Sequence, residues 1–285
     1  MHLKRRVGVL VHTGRRGALA AFEEIGDWCK VNGFEVVNVL KSSDCLGLEL
    51  LVSLGGDGTM LRAIDLSLAY QIPVLGVNFG HLGYLTEIEP AELSGSLDKF
   101  FEGNYRLEER MTLNIEVYPM AVADRGRGSR DHLHFVALNE LVVEKSFSGN
   151  VVKLSVGISG KHFLDYEADG LIVATPTGST AYSFSARGPI VSPSLSALVM
   201  TPISPHMLFD RALILAPTER VEITIMDGQD ATLMVDGINR HSLSMGEMVS
   251  VGASPLCANI VKFSERDFRE ILKQKFGLGE KKMYR

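Results

Sequence analysis

Apolar residues follow two different rhythms along this chain, and the change falls near Arg110. Before it, short continuous apolar runs alternate with segments of helical spacing. Val7-Gly-Val-Leu-Val11 is a β-branched run that predicts a strand buried on both faces. From Gly17 to Asn32 the residues Leu19, Phe22, Ile25, Trp28 and Val31 recur at spacing three, and Gly33 stands where a helix C-terminal glycine belongs. This predicts an amphipathic helix with those five side chains on its apolar face. Phe34 to Leu40, Glu49 to Leu54 and Ile72 to Val77 predict strands, and Met60 to Tyr70 a helix. A further helix is predicted from Pro90 to Glu102, with the proline in its first turn and Gly103 past its end. Strands separated by helices imply parallel βαβ crossovers.

Beyond Arg110 the period becomes two. Met111, Leu113, Ile115 and Val117 alternate with polar residues, as do Val152, Leu154, Val156 and Ile158, and then Val221, Ile223 and Ile225. Such alternation marks half-buried antiparallel strands. Pro119 to Asp131, with Arg125, Arg127 and Arg130 among glycines, reads as a solvated hairpin loop, Glu265 to Lys275 as a helix and Gly279 to Arg285 as a frayed tail.

Composition narrows the class. With 285 residues, 46% hydrophobic and 22% charged, the chain is globular and long enough for one large or two modest domains. A net charge of -5 excludes the basic footprint of a nucleic-acid or anionic-membrane binder, so local groups must meet any anionic ligand. Cys29, Cys45 and Cys257 are odd in number and widely spaced, which disfavours a disulfide framework and a zinc site and fits a reducing, cytoplasmic compartment. After the basic Met1 to Arg6, the apolar run Val7 to Val11 is too short for a signal peptide. No run approaches the length of a membrane span.

The richest stretch for chemistry is Leu50-Leu-Val-Ser-Leu-Gly-Gly-Asp-Gly-Thr-Met60, an apolar strand breaking into glycines before a helix. Two readings stand open. Gly55 to Gly58 is a tight turn with Asp57 as helix cap, or it is an anion site in which glycines at φ > 0 let the backbone approach a phosphate at the helix's positive end. The pattern is not a Walker A loop. A carboxylate in a phosphate loop repels its ligand, a cost that makes sense if Asp57 takes or orients a hydroxyl proton during transfer.

A second glycine turn, Gly76-Val-Asn-Phe-Gly80-His-Leu-Gly83, follows the next strand, so both turns are expected to line one crevice at the strands' carboxyl ends, with Asn78 and His81 in reach of it. His81 also reads as a solvated side chain. Asp169 to Ser185 forms a third polar cluster. In it Thr177, Ser179 and Thr180 offer hydroxyls, and Tyr182 packs or stacks on a base, packing being favoured. Asn139-Glu140 is read as the interior of a strand, where at least one side chain is buried and needs a partner. His132 and His134 read as a solvated strand end, and Asp236-Gly237 as an ordinary turn.

Taken together, Gly55-Gly-Asp-Gly-Thr59, Asn78-x-Gly80-x-Leu-Gly83, Asn139-Glu140 and Asp169-Gly-Leu-Ile-x-x-Thr-Pro-Thr-Gly-Ser-Thr-Ala-Tyr182 resemble, in content and order, the motif series of bacterial NAD kinases. The resemblance spans roughly residues 7 to 268. It implies an α/β N-terminal domain with a parallel sheet (1–105), a β-rich, antiparallel, sandwich-like domain (106–258) and a C-terminal segment (259–285) returning to the first, the fold shared with diacylglycerol kinases. It implies transfer of a phosphoryl group from ATP, or another donor, to the 2′-hydroxyl of NAD's adenosine ribose, with Mg²⁺ carried by ATP and no metal bound by the protein itself. Asp57 would be the proton acceptor with Gly58 beside it, and Gly55, Gly56 and Thr59 would handle the donor's phosphates. Asn139 and Glu140 would bind the riboses and adenine, Asp169 an amide edge, and Thr180, Ala181, Tyr182, Ser183 and Ser185 the adenosine. Relatives are homodimers or homotetramers. Where many carry Asp-Gly-Gln, this chain has Asp236-Gly-Ile238. Because Gly-Gly-Asp-Gly is also similar to the loop of lipid and sugar kinases, such an enzyme is the alternative, with a non-catalytic dinucleotide sensor as a second.

Overall fold

A computed structural model describes residues 4–119, 132–147, 151–226, 230–264 and 268–278. Most of the expected hairpin loop, the first residues of the expected last helix and the charged tail lie outside these. The chain divides into two compact units, Met1–Glu109 with Cys257–Arg285, and Arg110–Leu256.

The first unit alternates as its pattern predicts: β1 (Arg6–Val11), α1 (Ala18–Asn32), β2 (Glu35–Asn38), β3 (Leu50–Gly55), α2 (Asp57–Ser67), β4 (Val74–Asn78) and α3 (Leu93–Phe101). The strands pair in parallel in the order β2-β1-β3-β4. β3 and β4 are buried along their whole length, as a sheet covered on both faces requires. The end of the chain completes the unit: Ile260 pairs in parallel with Val74, and from the final helix, Phe268–Phe276, Phe268 lies 6.1 Å from the ring of Tyr84 and Lys275 4.1 Å over it.

The apolar face of α1 differs from the expectation. Ala18, Ala21, Ile25 and Cys29 face the core, whereas Leu19 and Val31 are 57% and 84% exposed. A strict spacing of three falls behind the 3.6-residue turn by about 60° per step, so five such residues sweep most of the way round a helix. Small alanines let α1 sit close to the sheet. Gly33, at φ 77°, ends the helix, donating its N–H to Cys29 O.

The second unit is built of β5 (Arg106–Tyr118, its first residues in the first unit), β6 (Leu133–Ala137), β7 (Glu140–Lys145), β8 (Val152–Ile158), β9 (Lys161–Ala168), β10 (Gly170–Ala174), the one-turn α4 (Tyr182–Ser185), β11 (Leu198–Ile203), β12 (Leu213–Leu215), β13 (Arg220–Ile225), β14 (Ala231–Val235), β15 (Ile238–Leu243) and β16 (Met248–Lys262, its last residues in the first unit). One antiparallel sheet runs β12-β11-β10-β7-β14-β15; β16, β13, β8 and β9 form another, with β5 on β16 and β6 on β5. Alternate residues of both sheets meet in one core. Leu113, Leu154 and Ile223 enter it from one side and Leu141, Val173 and Leu233 from the other. Two sheets joined by such a core make a sandwich: its antiparallel strands are those the period of two predicted, and its sandwich form is the one the resemblance implied.

Asn139-Glu140 does not lie inside a strand as expected. β6 ends at Ala137 and β7 begins at Glu140, and Leu138 and Asn139 form a bend between them. An apolar frame on both sides hid the break, because apolar runs report burial and not continuity of pairing.

Candidate active site

In the first unit β3 ends at Gly55 and α2 starts at Asp57, the strand–glycine–helix layout expected of an anion site. The glycines act differently from the expectation. Gly56 is extended (φ −137°, ψ −163°), and neither Gly55 nor Gly58 has a positive φ. Their value is the missing side chain. A Cβ on Gly55 would overlap Thr59, while Gly56 and Gly58 face open space with no atom within 4 Å of a Cβ. The Asp57 and Gly58 N–H groups at the helix start are therefore approachable, whereas the Thr59 N–H is spent on Gly56 O at 2.9 Å.

Asp57 does not cap its own helix. Its Oδ2 accepts the Tyr84 N–H at 2.9 Å and its Oδ1 the Leu85 N–H at 3.0 Å. Gly83 makes this possible, since a Cβ there would overlap the Asp57 carboxylate. Phe79 N–H also donates to Gly55 O at 2.7 Å. The second glycine turn thus folds back onto the first and holds its acid. Burial and the Asp57 charge together raise the pKa of Tyr84.

A cleft of about 300 Å³ opens beside this acid, lined by Val11, His12, Arg15, Gly56, Asp57, Gly58, Thr59 and Arg62. It lies at the carboxyl ends of β1 and β3. The chain moves outward from β1 to β2 and then returns to the other side of β1 for β3, so this is the sheet's topological switch point, where open α/β sheets bind ligands. The turns expected to share a crevice were those after β3 and β4; the cleft uses those after β1 and β3. Asn78 is committed to its own turn, bonding Gly80 and Glu89, and His81 is exposed. Arg15 and Arg62 were missed. The signal for Arg15 was the basic, glycine-flanked turn Gly14-Arg-Arg-Gly17 at a strand's carboxyl end.

In the second unit the bend at 138–140 is held from both sides. The Asp236 carboxylate accepts the N–H groups of Leu138 (2.8 Å), Asn139 (2.7 Å) and Glu140 (3.1 Å). Thr175 N–H donates to Asn139 O at 2.8 Å and the Thr175 hydroxyl to Leu138 O. Gly178 packs so closely on Asn139 that any Cβ would strike its backbone. Asp236 and Gly237 form the turn between β14 and β15, as expected, but the Asp236 carboxylate serves the 138–140 bend as well. A turn aspartate bonds its own neighbours, and nothing local in Asp236-Gly237 reports a partner almost a hundred positions earlier.

Glu140 is 5% exposed, and its Oε2 has no hydrogen-bond partner. Burial, with the Asp236 charge adding to it, pushes its carboxyl up to about 8 against the opposing Tyr182 N–H. Asp169 is ion-paired with Lys145. Tyr182 packs against the cluster of Val142, Ile172, Ala174 and Val191, which agrees with the packing reading. Ser179 spends its hydroxyl on Pro176 O and Val191, and the buried Ser183 pairs with Thr201 at 3.0 Å. Thr180 and Ala181 are half-buried and Ser185 is exposed.

A parallel sheet with an acid-bearing glycine turn at its switch point, joined in one chain to a β-sandwich, defines a phosphotransferase class. Residues 21–105 match the ATP-NAD kinase N-terminal domain and residues 138–263 the ATP-NAD kinase C-terminal domain. An NAD kinase of Syntrophotalea carbinolica is 34% identical, covering 97% of this chain and 100% of that protein. NAD kinase 1 of Streptomyces coelicolor is 35% identical over 96% of this chain and 86% of its own length. An Archaeoglobus fulgidus NAD kinase solved in complex with ATP superposes with a TM-score of 0.73 at 25% identity, covering 95% of this chain and 97% of that one. Yeast NADH kinase complexed with NADH shares the fold, with a TM-score of 0.83 at 23% identity over 98% and 89% of the two chains. The chain belongs to the NAD kinase family.

Proposed function

We infer that this chain phosphorylates NAD to NADP with ATP as donor, and that Asp57 is its catalytic residue. The observation that carries the residue assignment is the Asp57 carboxylate, clamped by two backbone N–H groups beside a cleft with two arginines. Each carboxylate oxygen accepts one N–H and keeps a further lone-pair site for a substrate hydroxyl. In this reading Gly55, Gly56, Gly58 and Thr59 present the helix's first turn to the donor's phosphates, with Arg15 and Arg62 neutralising their charge. Asp57 takes the proton from the ribose 2′-hydroxyl as that oxygen bonds to the γ-phosphorus, and the bond from phosphorus to the bridging oxygen breaks to release ADP.

In the second unit we assign Asn139 and Glu140 to the riboses and adenine of NAD, Asp169 to an amide edge, and Thr180, Ala181, Tyr182, Ser183 and Ser185 to the adenosine. Ser183 would act through its backbone, its hydroxyl being committed. Mg²⁺ enters with ATP as part of the substrate; among the described residues no three His, Cys, Asp or Glu side chains gather to hold a metal. No described helix is long and apolar enough to cross a membrane. A cytoplasmic homodimer or homotetramer is the setting proposed, its three free cysteines suiting a reducing compartment.

Incubating the purified protein with Mg-ATP and NAD, and scoring with an NADP-specific dehydrogenase, tests the reaction. ATP-dependent NADP formation is expected, with no transfer to diacylglycerol or fructose 6-phosphate. Tight NAD binding without NADP would instead mark a sensor. Gly83→Ala tests the clamp: kcat is expected to fall roughly tenfold to a hundredfold, from displacement of Asp57, for a stability loss of about 1–3 kcal/mol measured by urea unfolding.

A further inference from the structure

We propose that Asp236 is a positioning residue for the NAD site, fixing the 138–140 bend so that the Asn139 and Glu140 side chains are presented to the substrate. This rests on the assignment of those two residues to NAD. Three consecutive N–H groups converge on one carboxylate, at 2.7 to 3.1 Å, and the Asp236 N–H donates back to Glu140 O at 3.0 Å. Consecutive N–H groups in an extended strand point to opposite sides, so a single acceptor can collect three only where the chain bends. The carboxylate therefore selects the bend over continued β pairing between Ala137 and Glu140. Thr175 and Gly178 close the other side, through Leu138 O and Asn139 O, and the Tyr182 N–H faces the Glu140 carboxyl. Every backbone group that sets the direction of the two side chains thus has a fixed partner, and Asp236 holds four of them, three through its carboxylate and one through its N–H. Burial, with the Asp236 charge adding to it, raises the pKa of Glu140.

Steady-state kinetics on three variants test this. Asp236→Ala is expected to raise KM for NAD roughly tenfold or more with KM for ATP within about threefold, because only the NAD side loses its geometry. Asp236→Asn, which keeps one acceptor oxygen, should recover part of that loss. Asn139→Ala serves as the control on the underlying assignment. If Asn139→Ala raises KM for NAD while both folded Asp236 variants leave it within about twofold, the positioning role is overturned and the NAD assignment stands. If Asn139→Ala itself leaves KM for NAD unchanged, the assignment fails and the proposal with it. Equal rises in KM for NAD and ATP in Asp236→Asn would show a merely structural role and overturn the proposal.

Discussion

Asp57→Asn is expected to cut kcat by roughly 10² or more while KM for NAD stays within a few fold. The asparagine keeps the size of the aspartate and one carbonyl oxygen for the Tyr84 or Leu85 N–H, so the turn can persist. Its amide cannot take a proton, and its NH₂ faces one of the two backbone donors. Loss confined to turnover is the pattern of an interaction made in the transition state. Near-normal kcat in a folded Asp57→Asn protein would remove this residue from the chemistry.

The second large effect concerns stability. Glu87 and Lys262 form an ion pair at 3.0 Å with both side chains nearly inaccessible, and Glu87 Oε1 also accepts the N–H groups of Phe263 and Ser264 and the Ser264 hydroxyl. Burial disfavours the charged carboxyl, but the Lys262 ammonium and these donors outweigh it and hold its pKa below the usual value. Lys262→Met leaves a buried carboxylate without its cation and is expected to lower the unfolding free energy by roughly 3–5 kcal/mol at pH 7. Glu87→Gln combined with Lys262→Met should recover much of it. The sign of the pH effect follows from the lowered value. Glu87 contributes stability above its unfolded value, about 4.3, and that contribution is lost as pH falls through the folded one. Without the lysine, burial raises the variant's carboxyl, which takes up a proton before the native one does, so the difference between native protein and Lys262→Met shrinks as pH falls toward about 4.3 and shrinks further below it. Denaturant unfolding at pH 7 and at about pH 4 measures it, and a pH-independent difference would contradict the pairing.

The parts of this molecule legible in its sequence are those set by local rules. Val7 to Val11 and Leu50 to Leu54 form buried strands because continuous apolar runs can be satisfied only between covering layers. Leu113, Ile115 and Val117 turn inward because strand side chains alternate. Sequence position could not reveal which neighbour makes a residue useful. Asp57 stood out among its glycines, yet its holders, Tyr84 and Leu85, come from the next turn. Asp236 passed as a turn residue because its partners are at 138–140, and Arg15 became relevant only once β1 was placed beside β3. Leu19 misled because side-chain apolarity was weighed above the helical angle that brings Ala18 and Ala21 to the sheet.

The late pairing of Ile260 with Val74 has a consequence for biosynthesis. While the ribosome is still adding residues 110 to 256, the nascent β4 has β3 on one side and, on the other, Glu87 and Ile88 beside Gly76 to Asn78, while its Val74 end still lacks a neighbour. At typical elongation speeds this lasts on the order of ten seconds. During that interval an open strand edge is available to other chains, a hazard that ends only when the final segment emerges and docks.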